Sequence, residues 1–456
     1  MRNRYLYITL LSIIGFNTET YAQVFAQAPR LVISVSIGQL RTDYLENNAA
    51  AYTSDGLRRL IDEGRVYTTA SYPFTPLDRA SAVACLTTGA SPYYNGITGV
   101  EWMNRNTLQR EHITKGDSPQ QLAVSTLGDE LKMATDGKAH VFSIASNPEC
   151  AILSAGHAAD GAVWIQQGRW VSSAYFTPAI SWLQSFKRTY IPDADGNMSV
   201  VKAALNCLEQ TGLGLDEQTD LLSLYLEAGN NTDSYLSLDN SLSFLMNGVT
   251  QRLPLERVLF VVTGSGPLEE KEQEEKADVS RYRIPTGKFY VHRTVNLLNM
   301  YLGAIYGTAQ YVETSYRNQL FFNHKLVEKK NINMGELLRR SQEFILQMEG
   351  VRNCYTSHQL MKGDSEQLQR IRNGFNVEKS GDLIIEIAPG WQMVNDHSKT
   401  TTTSRLGHIH FPIIFWGAGI PSLRIQTPVT VDRVAPTIAQ NIRIRAPNAC
   451  EAEPLF

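Results

Sequence analysis

Six short apolar runs constrain this fold most: Leu31–Ile37, Val141–Ala145, Asp220–Leu226, Val258–Val262, Leu383–Ile387 and Phe411–Phe415. Each is too short for a core helix and too uniformly apolar for a strand with one wet face. That is the pattern of strands covered on both sides. Helical patterns lie between several of them. After the first run, Ser54 or Asp55 is placed to cap a helix. Leu57, Leu60 and Ile61 give that helix an apolar face, and Gly64 ends it. The alternation predicts an α/β three-layer sandwich with a mainly parallel central sheet and helices on both faces. The 456 residues are 43% hydrophobic and 19% charged. That suffices for a large core and excludes a disordered chain.

Two stretches fit the sheet less well. Residues of about 160–215 are rich in Trp, Tyr and Ser, and residues of about 280–380 are helical with apolar positions of their own. In the second, Asn333 with Glu336 reads as a capping box and Gly350 as a helix stop. Both stretches are read as cap insertions in one domain spanning 28–450. The charged run Glu269–Lys276 reads as a solvated loop or helix face.

The N-terminus reads as a signal peptide over 1–22. Arg2 and Arg4 precede the apolar stretch Tyr5–Phe16, which is too short to span a bilayer. Thr20-Tyr21-Ala22 offers a cleavage site, and Val24-Phe25-Ala26 a second. No later run reaches the roughly 20 apolar residues of a membrane helix. The expected location is periplasmic or otherwise extracytoplasmic, with no transmembrane segment. A net charge of −3 gives no basic face for nucleic acid. Cys85, Cys150, Cys207, Cys354 and Cys450 are widely spaced and odd in number, which is no disulfide framework, though one or two bridges stay open.

The residues carry no recognisable reaction motif. None of the nine histidines forms HxxxH or HExxH. His408 and His410 flank an apolar run, and Asp396-His397 is a lone pair in a polar loop. A catalytic zinc needs three protein ligands and an open position. GxSxG and P-loop patterns are absent. Thr87–Gly99 has turn chemistry without dinucleotide spacing, and Thr400–Thr403 supplies hydroxyls with no base beside them.

Several segments in order resemble one known family: LVISVSIGQLRTDYL at Leu31–Leu45, LTTGASPYYNGITGVEW at Leu86–Trp102, AILSAGH at Ala151–His157, GDLIIEIAPGW at Gly381–Trp391 and FPIIFWGAGI at Phe411–Ile420. The chain resembles the alkaline phosphatase superfamily, of type I phosphodiesterase/nucleotide pyrophosphatase type. It is similar in particular to the phosphate-irrepressible alkaline phosphatases of Bacteroidetes type. The likeness runs from about 30 to 450 and implies a two-zinc phosphatase fold. Carried over by residue, however, the resemblance finds the chemistry replaced. The Asp that ends the first strand in active relatives falls on Gly38. The nucleophilic Thr, ten residues before the Gly of the TG pair, falls on Arg79. The phosphoryl-binding Asn falls on Val100, and the KxR pair on Asn147 and Glu149. The Asp of the DxxxH stretch falls nearest Asn230, and its His is missing. The ADHG segment becomes Thr263-Gly264-Ser265-Gly266, and the last His falls on Thr401.

The resemblance therefore implies a degenerate member with no catalytic residue and no cofactor, an inactive binding or scaffold protein of the cell envelope. Its expected partner is an envelope protein or an anionic ligand. Arg79 is expected either to meet an anion at a helix N-terminus or to pair with Asp78 or Glu149 in the vacated metal site; the ion pair is the preferred reading. A guanidinium has no nucleophilic lone pair at any usable pH. The alternative is a zinc-dependent phosphomonoesterase or phosphodiesterase with a relocated site using Asp396, His397 and Ser81 or Thr75. Candidate pocket positions under either reading are Arg79, Ser81, Asn230, Ser265, Asp396, His397 and Thr401.

Overall fold

The computed structural model describes residues 27–176, 180–193, 195–265, 285–363, 365–395, 400–403 and 410–456. The signal-peptide stretch, the Glu269–Lys276 run and the Asp396-His397 pair lie outside these residues. In chain order the strands are β1 (Leu31–Gly38), β2 (Arg65–Ser71), β3 (Glu101–Met103), β4 (Arg110–His112), β5 (Val141–Ala145), β6 (Gly161–Gln166), β7 (Arg169–Ser172), β8 (Asp220–Glu227) and β9 (Val258–Gly264). There follow β10 (Gly287–Tyr290), β11 (Val312–Tyr316), β12 (Gln319–Phe322), β13 (Val351–Thr356), β14 (Leu383–Ile387), β15 (Trp391–Asn395), β16 (Thr400–Thr403), β17 (Phe411–Gly417), β18 (Leu423–Ile425) and β19 (Val429–Thr430).

The main sheet has the order β18-β2-β17-β9-β1-β8-β5-β6-β7, with β19 beside β2. Its centre is parallel: β1 pairs with β8 and β9, and β5 with β8 and β6. Side chains along each central strand alternate between two cores, as a period of two requires. Val32, Val141, Leu221, Tyr225 and Val261 face one core, together with the helices Arg79–Thr88, Pro148–Ala155 and Val434–Asn441. Ile33, Val35, Ile144, Leu222, Leu224 and Phe260 face the other, with the helices Leu57–Glu63, Gly196–Thr211 and Thr232–Thr250. Helices thus cover both faces and explain why the strands are apolar throughout.

The expectations need four corrections here. First, Leu383–Ile387 is a strand but belongs to a separate antiparallel sheet, β11-β12-β14-β13. There Leu383, Ile385 and Ile387 share a core with Leu298, Leu302, Leu337 and Ile345. An apolar run reports only that both faces are covered, not which sheet it joins. Second, Phe411–Phe415 lies antiparallel to both β9 and β2. Third, much of the stretch at 160–215 is not a cap but part of the main layers. β6 and β7 extend the main sheet through a tight hairpin in which Gln167 and Gly168 both have positive φ. Its tryptophans are core residues, Trp164 being fully buried. Fourth, neither Ser54 nor Asp55 caps the helix Leu57–Glu63. Asp239 does so from the helix Thr232–Thr250, accepting from the backbone N–H of Thr53 at 2.7 Å and Leu57 at 2.6 Å. Gly64 ends that helix as expected.

Two smaller features also differ. The side chain of Asn333 accepts from the N–H of Glu336 at 3.0 Å, which is one half of a capping box. That helix ends at Leu346, before Gly350. All five cysteines are free thiols.

Candidate functional site

Open α/β sheets offer a ligand crevice at the carboxyl ends of their parallel strands. Here β1 ends on Gly38 and β8 on Glu227, paired in register, while Ile37 pairs with Gly264 near the end of β9. The Ser265 N–H donates to the Ile37 carbonyl at 2.8 Å, which seats Ser265 beside the end of β1. Two helix N-termini approach from one face.

The first of these helices, Arg79–Thr88, starts cleanly. The Asp78 side chain accepts from the Ala80 N–H at 3.0 Å, and Ser81 Oγ accepts from the Asp78 N–H at 3.0 Å. Ser81 is fully buried and consumed by this capping box, so it offers no nucleophile. Asp78 Oδ1 also accepts from the Val100 N–H at 2.8 Å. The helix is buried nearly all round, and its small residues Ala80, Ala82, Ala84 and Cys85 let its neighbours, the helix Pro148–Ala155 among them, pack closely. That second helix begins after Asn147 with Pro148 at its first position, and Glu149 occupies its first turn.

Arg79 and Glu149 face each other across this junction. Arg79 Nε donates to Glu149 Oε1 at 2.9 Å, and Arg79 Nη2 donates to the same oxygen. The Glu149 side chain is 4% exposed and that of Arg79 36%. Arg79 Nη1 lies 4.0 Å from Glu227 Oε1, which accepts from the Tyr225 hydroxyl at 2.9 Å. Partial burial alone would lower the Arg79 pKa, but the charge of Glu149 outweighs it and raises the pKa. Burial pushes the Tyr225 hydroxyl up, with the nearby Cys150 and Glu227 adding to it. Of the two expected partners, Arg79 thus takes Glu149. Asp78 pairs instead with Arg317, from the turn between β11 and β12, at 3.0 Å.

The other candidates scatter. Ser265 is 1% exposed, and its Oγ has no hydrogen-bond partner among the described residues. Asn230 follows β8, and its described contact is through the backbone, accepting from the Tyr44 hydroxyl at 3.4 Å. Thr75 is tied by its N–H to the Arg370 carbonyl at 3.0 Å. Thr401 lies in β16, opposite Val394 of β15, in a small sheet with β10. Asp396 and His397 are outside the described residues. The sequence reading missed Tyr225, Glu227 and Arg317. Their signal is register rather than motif: Glu227 is the strand partner of Gly38.

The described residues do not fit a zinc pair. A Cβ on Gly38 would fall 2.0 Å from Glu227 Oε2 and 2.4 Å from the Tyr225 hydroxyl. The space for a metal-binding side chain at position 38 is therefore taken. The Arg79 guanidinium brings a positive charge to the same crevice, 4.0 Å from Glu227 Oε1. Among the described residues, no group of three or more His, Cys, Asp or Glu is arranged to hold a metal ion.

A family model described as type I phosphodiesterase/nucleotide pyrophosphatase matches residues 32–410. The chain belongs to this family. A protein named calcium-transporting ATPase from Myroides odoratus is 23% identical, the match covering 96% of each chain. Alkaline phosphatase PhoV from Synechococcus elongatus is 23% identical over 92% of this chain and 91% of its own. The crystal structure of alkaline phosphatase PafA matches with a TM-score of 0.82 at 20% identity, covering 94% of this chain and 98% of that one. The chain therefore has the alkaline phosphatase fold, with a large, mainly parallel sheet between helical layers.

Proposed function

We propose that this family member is an extracytoplasmic pseudoenzyme with a binding or scaffold role in the cell envelope. The observation that carries the reading is the Arg79–Glu149 pair at the N-terminus of the helix Arg79–Thr88. Fold does not imply function, and a site with an arginine for a nucleophile has no group to attack phosphorus. A two-metal mechanism needs direct coordination of the attacking and leaving oxygens. Gly38 and Ser265 supply no such coordination.

The names of the relatives favour a second reading, a metal-dependent phosphomonoesterase or phosphodiesterase with a relocated site. The two are separated by assaying the purified protein with 4-nitrophenyl phosphate and bis-4-nitrophenyl phosphate in micromolar zinc, before and after EDTA. The expected rate equals the buffer rate in all four conditions. Turnover that EDTA abolishes would establish the second reading. Arg79→Thr alone is expected to remain inactive, because the metal-ligand positions stay altered.

A further inference from the structure

We infer that Arg79, Glu149 and Glu227 form a metal-independent tie that locks the crevice shut to divalent cations and joins the elements around it. This rests on the reading of the site as catalytically silent. The cluster gathers the end of β8 through Glu227, with the end of β1 paired beside it at Gly38, and two helix N-termini through Arg79 and Glu149. Arg317 adds the β11–β12 turn by pairing with Asp78. These are parts of the chain far apart in sequence, held at one point by charge.

Three features show that the members depend on one another. Arg79 is the first residue of its helix, where the helix dipole disfavours a cation, so it needs a compensating anion. Glu149 is buried, and Arg79 is its ion-pair partner among the described residues. A buried carboxylate without a cation is strongly disfavoured. Glu227 occupies the volume that any side chain at position 38 would enter, so Gly38 and Glu227 go together. Asn197 fixes the backbone beneath it, donating to the Glu227 carbonyl at 2.8 Å and accepting from its N–H at 2.9 Å. Asp78, Glu149 and Glu227 set three carboxylates against the two guanidiniums of Arg79 and Arg317. A divalent cation binding Glu149 or Asp78 would have to expel a guanidinium from its hydrogen bonds.

The test is thermal unfolding of the whole mature protein, with phosphatase activity read on the same samples. The melting temperature is expected to stay within about 1 °C with EDTA or with micromolar zinc, because a ligand bound only to the folded state would raise it. Arg79→Glu and Glu149→Arg are each expected to lower it by roughly 5 °C or more. The double charge swap should recover at least half of the summed loss, as a coupled pair does and an independent one does not. Should either single variant fail to fold, Arg79→Lys and Arg79→Met replace it, the lysine variant being expected to melt well above the methionine variant. A fall in melting temperature on chelation, a rise with zinc, or additive single losses would overturn the tie. Additive losses without turnover would overturn the tie alone. Zinc-dependent turnover would also overturn the functional reading.

Discussion

At the scale of single residues, Gly38 and Glu227 share one volume: the glycine leaves it empty and the carboxylate fills it. The Glu227 carboxylate sits where a Cβ on residue 38 would be, held by the Tyr225 hydroxyl. Both atoms are the ends of side chains, so strand β1 need not move if residue 38 gains a methyl group. Glu227 must then leave its hydrogen bond. Gly38→Ala is expected to cost about 1 kcal/mol, the value of one such bond. In a Glu227→Ala background, where that bond is already gone, Gly38→Ala should cost little, as read from urea unfolding. Equal losses for Gly38→Ala with and without Glu227→Ala would show that the space is filled by something else. Gly38, Arg79 and Glu149 were legible in the sequence because each stands at a fixed offset within a recognisable segment. Glu227 was not, because its role exists only through the pairing of β8 with β1. Ser81 was legible as a hydroxyl but not as half of a capping box, since that depends on where the helix begins.

At the scale of elements, apolar runs located strands well and helix starts poorly. Val141–Ala145 is a strand from end to end, and β1, β8, β9 and β17 extend their predicted runs by one or two residues. Runs of this kind are set by burial, which the sequence writes locally. The cap of the helix Leu57–Glu63 comes from Asp239, a residue far along the chain, and no local motif encodes it. Asp239→Ala is expected to destabilise the protein by about 2 kcal/mol, the upper end for a lost cap, because two backbone N–H groups lose their acceptor. A loss below the error of a urea titration would refute that role. Asp382, just before β14, anchors another junction. It accepts from Arg105 Nη1 and His324 Nε2, both at 3.0 Å, and from the Phe322 N–H at 2.8 Å. Burial pushes its pKa up, but the His324 hydrogen bond and the Arg105 charge outweigh that and hold it below the ordinary value. On acidification the unfolded chain therefore protonates Asp382 first. Its contribution is complete above the unfolded value of about 3.9 and is lost as pH falls through the lower folded value. Asp382→Asn is expected to cost about 3 kcal/mol at pH 7. The gap between wild type and variant should narrow below about pH 4. A gap independent of pH would assign the loss to packing rather than charge.

At the scale of the whole molecule, the main sheet and the β11–β14 sheet have separate cores, and the described seam between them carries many polar contacts. No described helix is long and apolar enough to cross a membrane. The extracytoplasmic reading predicts that the native protein begins near Gln23 or Gln27, and N-terminal sequencing that returns Met1 would refute it. Across the seam, Arg105 donates to the Ser380 carbonyl, Asn373 Nδ2 to the Pro73 carbonyl at 3.0 Å, and Arg370 Nη2 to the Tyr72 carbonyl at 3.1 Å. Lys379 reaches furthest. Its Nζ donates to the Gly96 carbonyl at 2.7 Å and lies 4.2 Å above the ring of the buried Trp102. The ammonium thus meets a backbone acceptor and an aromatic face together, and the contact is shielded from water, where cation–π attraction is strongest. Lys379→Met keeps the apolar stem and deletes those two interactions, together with a longer donation from Nζ to the Gln121 carbonyl at 3.4 Å. It is expected to cost about 2 kcal/mol. Because the cores are separate, the loss should appear locally. Hydrogen exchange should quicken in residues 374–382 and around Gly96, while the amides of β1, β8 and β9 keep their protection. Uniformly faster exchange would mean that the two sheets unfold as one unit, and that Lys379 contributes to a single cooperative structure rather than to a seam.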